Sequence, residues 1–279
     1  MLSSASEIRK SNKRQKTDKK DAQWIADLFK HDLVNGSFIP PKDIRQLRDL
    51  CLYWVKLSSD TTGKKNRAQN CLTVFNFKLD DVFTNVFGKS ASAITTQLLE
   101  HPGESFDVAP FVDGRCRTPI DKIQKAVDGV FSYEQAEKLK IIRSHMNSLD
   151  RHKAELESLI LGIAEKYTSQ IKLLMTVPGI NDVFTAIRII AEIGVDMSVF
   201  ETSKKLCSWA GLTPQNNESA GKKKTTRIGK SGAYLKPLLI QIAITSSRSE
   251  KHPEIREKYL ALKNAGADKK PRSLLLENF

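Results

Sequence analysis

Several features that define large protein classes are scarce or missing in this sequence of 279 residues. It has four cysteines, none of them in a Cys-x-x-Cys pair, and its five histidines form no His-Glu-x-x-His motif. This pattern predicts reduced thiols in a reducing compartment and argues against a zinc site. No stretch approaches the roughly 18 consecutive apolar residues of a membrane span, and the basic N-terminus lacks the apolar run of a secretory signal. We therefore expect neither a secreted nor a membrane-spanning protein.

Basic residues are plentiful by comparison. Lysine and arginine number 45 against 32 acidic residues, which gives a net charge of +13. Such an excess favours a polyanionic partner, most simply nucleic acid, although a basic protein that is merely soluble has the same composition. Apolar residues form 40% of the chain, enough to fold most of it around hydrophobic cores, and the length fits about two domains.

Apolar residues recur at helical spacing, no clear strand pattern is present, and the predicted fold is mainly α. The region from Lys42 to about Val86 predicts one long helix with a polar waist, or two helices. A second long helix is predicted from about Tyr133 to Leu174, where a seven-residue apolar repeat favours a coiled coil. The pattern leaves open whether these helices pair as an antiparallel core hairpin within one chain or as a seam between two chains.

The segment around Pro178-Gly179 resembles a helix-hairpin-helix, because one helix stops there and another begins near Asn181 or Asp182. In such hairpins the glycine lets the backbone approach a DNA phosphate, and the second helix presents its N-terminal N–H groups to that phosphate. Asn181 stands where a second glycine is usual. An ordinary helical hairpin that packs on the core explains the segment equally well.

A basic stretch with several glycines follows Ser219. From Lys222 to Lys236 the chain has six basic residues and no acidic one, as suits a loop that contacts a phosphate backbone. Ser219 stands beside it as a candidate nucleophile, although a serine needs a base or electrostatic help and no histidine is near. An ordinary loop serine is the alternative. The predicted nucleic-acid-binding residues are Gly179, Asn181, Lys222, Lys223, Lys224, Arg227, Lys230 and Lys236.

Asp18 and Asp21 form a third candidate site at the start of a predicted helix. Three residues apart on a helix, the two carboxylates share a face, and paired acids can hold divalent metal for phosphoryl chemistry. The alternative is local: Asp18 as the helix N-cap and Asp21 at the third position, next to the positive end of the helix dipole.

Together these segments resemble the insertion-sequence transposases of the "IS one-ten" group, the bridge-RNA-guided recombinases. The similarity extends from about Ser3 to Lys270. The matching stretches are Lys16-Thr-Asp18-Lys-Lys-Asp21-Ala, Gly36-Ser-Phe-Ile-Pro40, Val177-Pro-Gly-Ile180, Ala210-Gly-Leu-Thr-Pro214, Glu218-Ser-Ala-Gly221, Tyr234-Leu-Lys-Pro237 and His252-Pro-Glu-Ile-Arg256.

The resemblance implies three domains: the end of an α/β RuvC-like DEDD domain at 1–41, a long-helix coiled-coil domain at 42–170, and a small helical serine transposase domain at 171–279. It implies a Mg²⁺ site of four acids, of which Asp18 and Asp21 match the last two, and Ser219 as the nucleophile that joins DNA. The implied partners are DNA, a structured guide RNA and a second copy of the chain, in the cytoplasm of a prokaryotic cell and associated with the nucleoid.

The sequence departs from this family at both ends. Glu7 is the only acid before Asp18, so we expect the first two acids and the RuvC-like sheet to be missing, and the chain to be inactive alone. Pro271–Phe279 replaces an expected apolar helix, as a frameshift would produce. The alternative functions are a non-catalytic nucleic-acid-binding remnant of such a transposase and, less compatible with the motifs, a helix-hairpin-helix repair or structural protein.

Overall fold

The structure is a computed structural model that describes residues 17–31, 33, 39–213, 217–219, 222–225 and 232–264. These residues are mainly helical, as predicted from the apolar periodicity. None of the helices found in this described part has the length and apolarity to cross a membrane. The elements are α1 (Asp18–Lys30), α2 (Lys42–Val74), α3 (Leu79–Val82), α4 (Lys89–Glu100), α5 (Ile120–Ala126), α6 (Tyr133–Ala164), α7 (Thr168–Leu174), α8 (Val183–Ile193), α9 (Ser203–Trp209), β1 (Asn217–Ser219), β2 (Lys222–Thr225), α10 (Leu235–Ser247) and α11 (Pro253–Asn264).

The chain forms two compact units that differ sharply in charge. The terminal unit combines residues 1–48 with 166–279, and the central unit comprises residues 49–165. The terminal unit has 30 basic and 16 acidic residues, a net charge of +14, whereas the central unit has 15 basic and 16 acidic residues, a net charge of −1. The attraction to a polyanion therefore belongs to the terminal unit. The three domain limits expected from the family resemblance stay a prediction.

In the central unit, α4, α5, α6 and the later part of α2 surround one hydrophobic core. The rings of Phe77 and Phe131 pack with their centroids 4.4 Å apart. Gly129 lies against them so closely that a Cβ there would overlap the carbonyl oxygen of Phe75. The fully buried apolar side chains of this core include Phe77, Leu79, Ile94, Ile123 and Leu139.

The two long helices, α2 and α6, contact each other within the chain. The indole Nε1 of Trp54 donates to Glu157 Oε1 at 2.7 Å, and Lys153 Nζ lies 4.7 Å from the centre of the Trp54 ring. Farther along, Leu72 of α2 shares the core with Leu139 of α6, so the helices run antiparallel. The polar residue that interrupts the seven-residue repeat at position 153 is thus accommodated by a cation–π contact. The pairing of α2 with α6 is the antiparallel hairpin within one chain, the first of the two arrangements that the sequence pattern left open.

Both long helices are shorter than predicted. α2 ends at Val74, not near Val86, because Asn76 adopts a left-handed backbone with φ of 64° that a helix cannot continue. α6 ends at Ala164, not at Leu174, where a 3₁₀ turn (Glu165–Tyr167) separates it from α7. The predictions for these helix ends were wrong because apolar periodicity continues across both turns.

In the terminal unit, two ion-pair clusters hold the first turns of α2 against residues from the C-terminal half of the sequence. Asp43 Oδ2 accepts hydrogen bonds from Lys166 Nζ and from the Tyr167 hydroxyl, each at 2.5 Å. The Lys166 ammonium, and after it the Tyr167 hydroxyl, hold the pKa of Asp43 well below its usual range. Arg48 contacts buried Glu192 through Nε at 3.1 Å and Nη2 at 3.0 Å, in the two-pronged geometry that favours arginine for carboxylates.

Candidate nucleic-acid interface and serine site

The candidate serine lies on a short β-hairpin that the sequence pattern does not predict. β1 and β2 pair antiparallel, with Ser219 opposite Lys222 and Glu218 opposite Lys223, and the register shifts before Asn217 pairs with Thr225. Directly opposed residues in such a ladder have Cα atoms about 4.5–5.5 Å apart. The expectation of a loop without strands is therefore wrong at these residues. The pairing brings the backbone of Ser219 next to two of the predicted phosphate-binding lysines.

The chain enters α10 through a tight contact with the end of α9. Gly232 has φ of 70°, and a Cβ at this position would overlap the carbonyl oxygen of Ala210. Gly211, two residues after the end of α9, is also left-handed, with φ of 68°. Because only glycine combines this backbone with this approach, the start of α10 is fixed to the Ala210-Gly211 turn.

The Pro178-Gly179 turn between α7 and α8 packs against the far end of α10. Gly179 has φ of 89°; a Cβ there would overlap Ser246 Oγ and lie 2.6 Å from the carbonyl oxygen of Ile242. The Ser246 side chain is fully buried, and its Oγ lies 2.6 Å from the carbonyl oxygen of Pro178. The glycine is thus required for packing on α10, whether or not its backbone also meets a phosphate.

The N-terminus of α8 already carries a carboxylate. Asp182 is its N-cap: Oδ1 accepts the backbone N–H of Thr185, and Oδ2 accepts the Thr185 hydroxyl, both at 2.7 Å. A phosphate approaching these N–H groups would meet this negative charge. Asn181 is exposed beside the cap. Nucleic-acid binding by Gly179 and Asn181 stays a prediction, and the Asp182 carboxylate opposes it.

Asp18 and Asp21 lie in the first turn of α1, but Asp18 is not the N-cap. Thr17 caps the helix instead, with its hydroxyl accepting the backbone N–H of Lys20 at 3.4 Å. The prediction of Asp18 as N-cap and Asp21 at the third position was wrong by one residue, because threonine is also a favourable N-cap and directly precedes the aspartate. The Asp18 side chain is exposed and that of Asp21 half-buried.

The fit of a divalent metal to these acids is partial. Across residues 17–264, apart from the stretches that the structure does not describe, no three His, Cys, Asp or Glu side chains form a group that could hold a metal ion. Two carboxylates on one helical face suit Mg²⁺, which commonly binds through one or two carboxylates and takes its other ligands from water and substrate phosphates. Asp18 and Asp21 meet this minimum.

The remaining predicted site residues are distributed along and before α10. Lys236 is half-buried in its first turn. Arg227 and Lys230 lie outside the described residues. Since Leu235 and Ser246 lie at opposite ends of α10, the start of this helix and the residue that contacts the Gly179 turn are roughly 17 Å apart along it at 1.5 Å per residue. Sequence reasoning missed Ser246, because no local pattern relates it to a turn 68 residues earlier.

Comparison with known protein families agrees with this arrangement. The family model described as "Transposase IS116/IS110/IS902 family" matches residues 171–260, which include the α7–α8 turn, the hairpin and α10. A DEDD transposase model, described as "Transposase", matches residues 3–77, which include Asp18 and Asp21. No curated protein matches the sequence significantly. The two family matches, in the order that the sequence motifs indicate, show that the chain belongs to the IS116/IS110/IS902 family of transposases.

Proposed function

We propose that this transposase recombines insertion-sequence DNA through a covalent intermediate on Ser219. The observation that carries the proposal is the hairpin register, in which Ser219 pairs with Lys222 inside the segment that matches the family model. A cationic side chain carried by the neighbouring strand would stabilise the negative charge that develops on a phosphate under attack. This is the help that a serine requires when no histidine lies near it in the sequence.

In the proposed step, Ser219 Oγ forms a bond to a DNA phosphorus while the bond from that phosphorus to the 3′-oxygen breaks. The product is a 5′-phosphoserine, and the departing 3′-oxygen takes up a proton. The serine hydroxyl gives its proton to a base. Attack by the 3′-hydroxyl of another strand on the phosphoserine then joins the DNA and restores the serine.

Asp18 and Asp21 are the residues that would hold Mg²⁺. When bound, this ion would neutralise phosphate charge close to the reacting strand. The role proposed for the two aspartates is to orient the ion and keep it on the exposed face of α1.

The proposed partners are DNA, a structured guide RNA and a second copy of the chain, in the cytoplasm and associated with the nucleoid. The charge distribution supports the two nucleic acids, because the net +14 of the terminal unit provides the attraction for phosphate backbones. The same charge supports a second candidate function, a non-catalytic nucleic-acid-binding protein, because electrostatic binding needs no reactive serine.

Nucleic-acid binding by the basic segment should show in the salt dependence of affinity. Changing Lys222, Lys223, Lys224, Arg227 and Lys230 to glutamine should lower the slope of log affinity against log salt by about 4–5 for duplex DNA, because each neutralised phosphate contributes close to one unit. Fluorescence anisotropy between about 50 and 200 mM salt measures this slope.

The matched control changes five exposed lysines of the central unit, Lys56, Lys78, Lys122, Lys125 and Lys138, to glutamine. This variant has the same net charge as the first but should keep the original slope. Equal slopes for both variants would place the nucleic-acid surface elsewhere.

Metal binding by the chain without DNA should be weak. Two carboxylates leave most of the octahedral Mg²⁺ shell to water, so we expect a dissociation constant on the order of millimolar by calorimetry. Asp18→Ala should abolish the binding that remains, and Asp27→Ala, an exposed aspartate on the same helix, should leave it unchanged. Micromolar affinity that Asp18→Ala removes would mean that further ligands of this chain complete the site.

A further inference from the structure

A cavity of about 200 Å³ lies in the central unit, which contains none of the residues assigned to transposition. Its walls come from α2, α4 and α6. Leu72, Val86 and Met146 are among its apolar lining residues, and Lys65, Arg143 and Asn147 are among its polar ones. Ligand sites commonly combine apolar walls with polar groups that fix the ligand's orientation. The polar groups therefore indicate what this cavity would bind.

Arg143 is the main cation of the cavity, and it is not neutralised by an ion pair. Its Nη2 donates to Thr96 Oγ1 at 2.9 Å and lies 3.4 Å from Ser92 Oγ. No carboxylate of the described residues lies within 4 Å of it; exposed Glu100 acts on it only from farther away. Burial lowers the pKa of the guanidinium, so the charge is held where solvation is poor. A guanidinium has five N–H donors, and the hydrogen bonds described for Arg143 involve only those of Nη2.

Lys65 faces the same cavity from α2, which adds a second positive charge to the site. Its Nζ lies 5.6 Å from the centre of the Phe87 ring, and no described carboxylate lies within 4 Å of it. Asn147 contributes an amide that can donate a hydrogen bond. Asp150 is the one carboxylate among the lining residues, and it is exposed. Two cations, hydroxyl groups and an amide around a small space are typical of an oxyanion site.

We propose that this cavity binds a single phosphate group between Arg143 and Lys65. Arginine favours tetrahedral oxyanions because its planar fork can donate two parallel hydrogen bonds, and lysine adds a point charge. The volume is below the roughly 300 Å³ of sites that enclose drug-sized molecules, which favours one phosphate over an entire nucleotide. The phosphate can belong to a free ion, to a nucleotide or to the backbone of a nucleic acid.

Calorimetry with inorganic phosphate, at constant ionic strength maintained with chloride, tests the site in the full chain. Lys65→Gln should weaken phosphate binding about tenfold, the scale of one charge-assisted hydrogen bond. Lys64→Gln, the same change at the neighbouring residue, which does not line the cavity, should leave it unchanged. Asp150→Asn should strengthen binding, because it removes the one carboxylate among the lining residues. These variants leave Arg143 and its hydroxyl contacts intact.

Two further titrations identify the source of the phosphate. A nucleoside monophosphate and a short RNA duplex are each added to the wild-type chain and to Lys65→Gln. If one titrant binds the wild-type chain more tightly than inorganic phosphate does, and Lys65→Gln removes this gain, that titrant represents the source of the phosphate. If both titrants show such a gain, the larger one decides. If neither titrant binds more tightly than inorganic phosphate, the site takes a free ion. Binding that responds equally to Lys65→Gln and Lys64→Gln would overturn the proposal, and so would the absence of binding with all three titrants.

Discussion

Replacing Gly179 with alanine should destabilise the terminal unit by about 2–5 kcal/mol, as the sum of backbone strain and overpacking. The strain arises because φ of 89° is unfavourable for any residue with a Cβ. The overpacking arises because the new methyl group would overlap Ser246 Oγ and lie 2.6 Å from the carbonyl oxygen of Ile242. Denaturant unfolding, followed by circular dichroism, measures the loss.

Two further variants identify the origin of this loss. Ser246→Ala removes the overlapping oxygen, so combining it with Gly179→Ala should cost less than the two single effects together. Gly162→Ala, in the last turn of α6 with nothing within 4 Å of the added methyl group, should instead stabilise the chain by about 0.5–1 kcal/mol. Wild-type stability in Gly179→Ala would show that the turn does not pack on α10.

The same variant distinguishes the two interpretations of the Pro178-Gly179 turn that the sequence left open. If Gly179 is needed only for the approach of a DNA phosphate, Gly179→Ala should lower nucleic-acid affinity and leave the free energy of unfolding unchanged. If Gly179 is needed for packing, the substitution should lower the free energy of unfolding. The contact between Ser246 and Pro178 could not be predicted from the sequence, because the two residues are 68 positions apart and their contact depends on the direction of two helices.

The helical part of the fold was predictable because burial imposes its period on the sequence. Ile142, Met146, Leu149, Leu156 and Ile160 of α6 are all buried, as their spacing predicts. The helix ends were not predictable from this period, since apolar spacing continues across the turns. The turn after Val74 depends on the left-handed backbone of Asn76, whose side-chain amide donates to the carbonyl oxygen of Asp128. That contact is formed by the tertiary fold.

The hairpin that carries Ser219 was missed for a different reason. Strand prediction relies on alternation of apolar and polar residues, and the four residues of β2, Lys222–Thr225, are all polar. Their pairing instead satisfies backbone N–H and C=O groups across the ladder. The motif Glu218-Ser-Ala-Gly221 indicated the family, which the comparisons confirm, but not the β-structure that aligns Ser219 with Lys222.

Ser219→Ala should abolish the covalent protein–DNA adduct, because alanine has no side-chain oxygen that could bond to phosphorus, and attack by water would cleave the DNA without attaching it to the protein. The assay incubates labelled DNA with the full chain, Mg²⁺ and guide RNA, and detects adducts on a denaturing gel. Ser203→Ala, an exposed serine at the start of α9, is the matched control and should leave the yield unchanged. Lys222→Gln should lower the yield less than Ser219→Ala, because charge stabilisation is weakened but the hydroxyl remains.

Asp18→Ala should lower the rate of adduct formation by about 10²–10³, because it removes one of the two carboxylates proposed to hold the ion, and losing a positioned electrostatic stabiliser commonly costs this much. Asp27→Ala, an exposed aspartate on the same helix, should leave the rate unchanged. An unchanged rate in Asp18→Ala, with the adduct lost in Ser219→Ala, would retain the nucleophile and overturn the metal role of Asp18. Adducts that persist in Ser219→Ala would instead assign the covalent bond to another residue. Because the first variant changes the acids and the second changes the serine, the metal site and the nucleophile are tested separately.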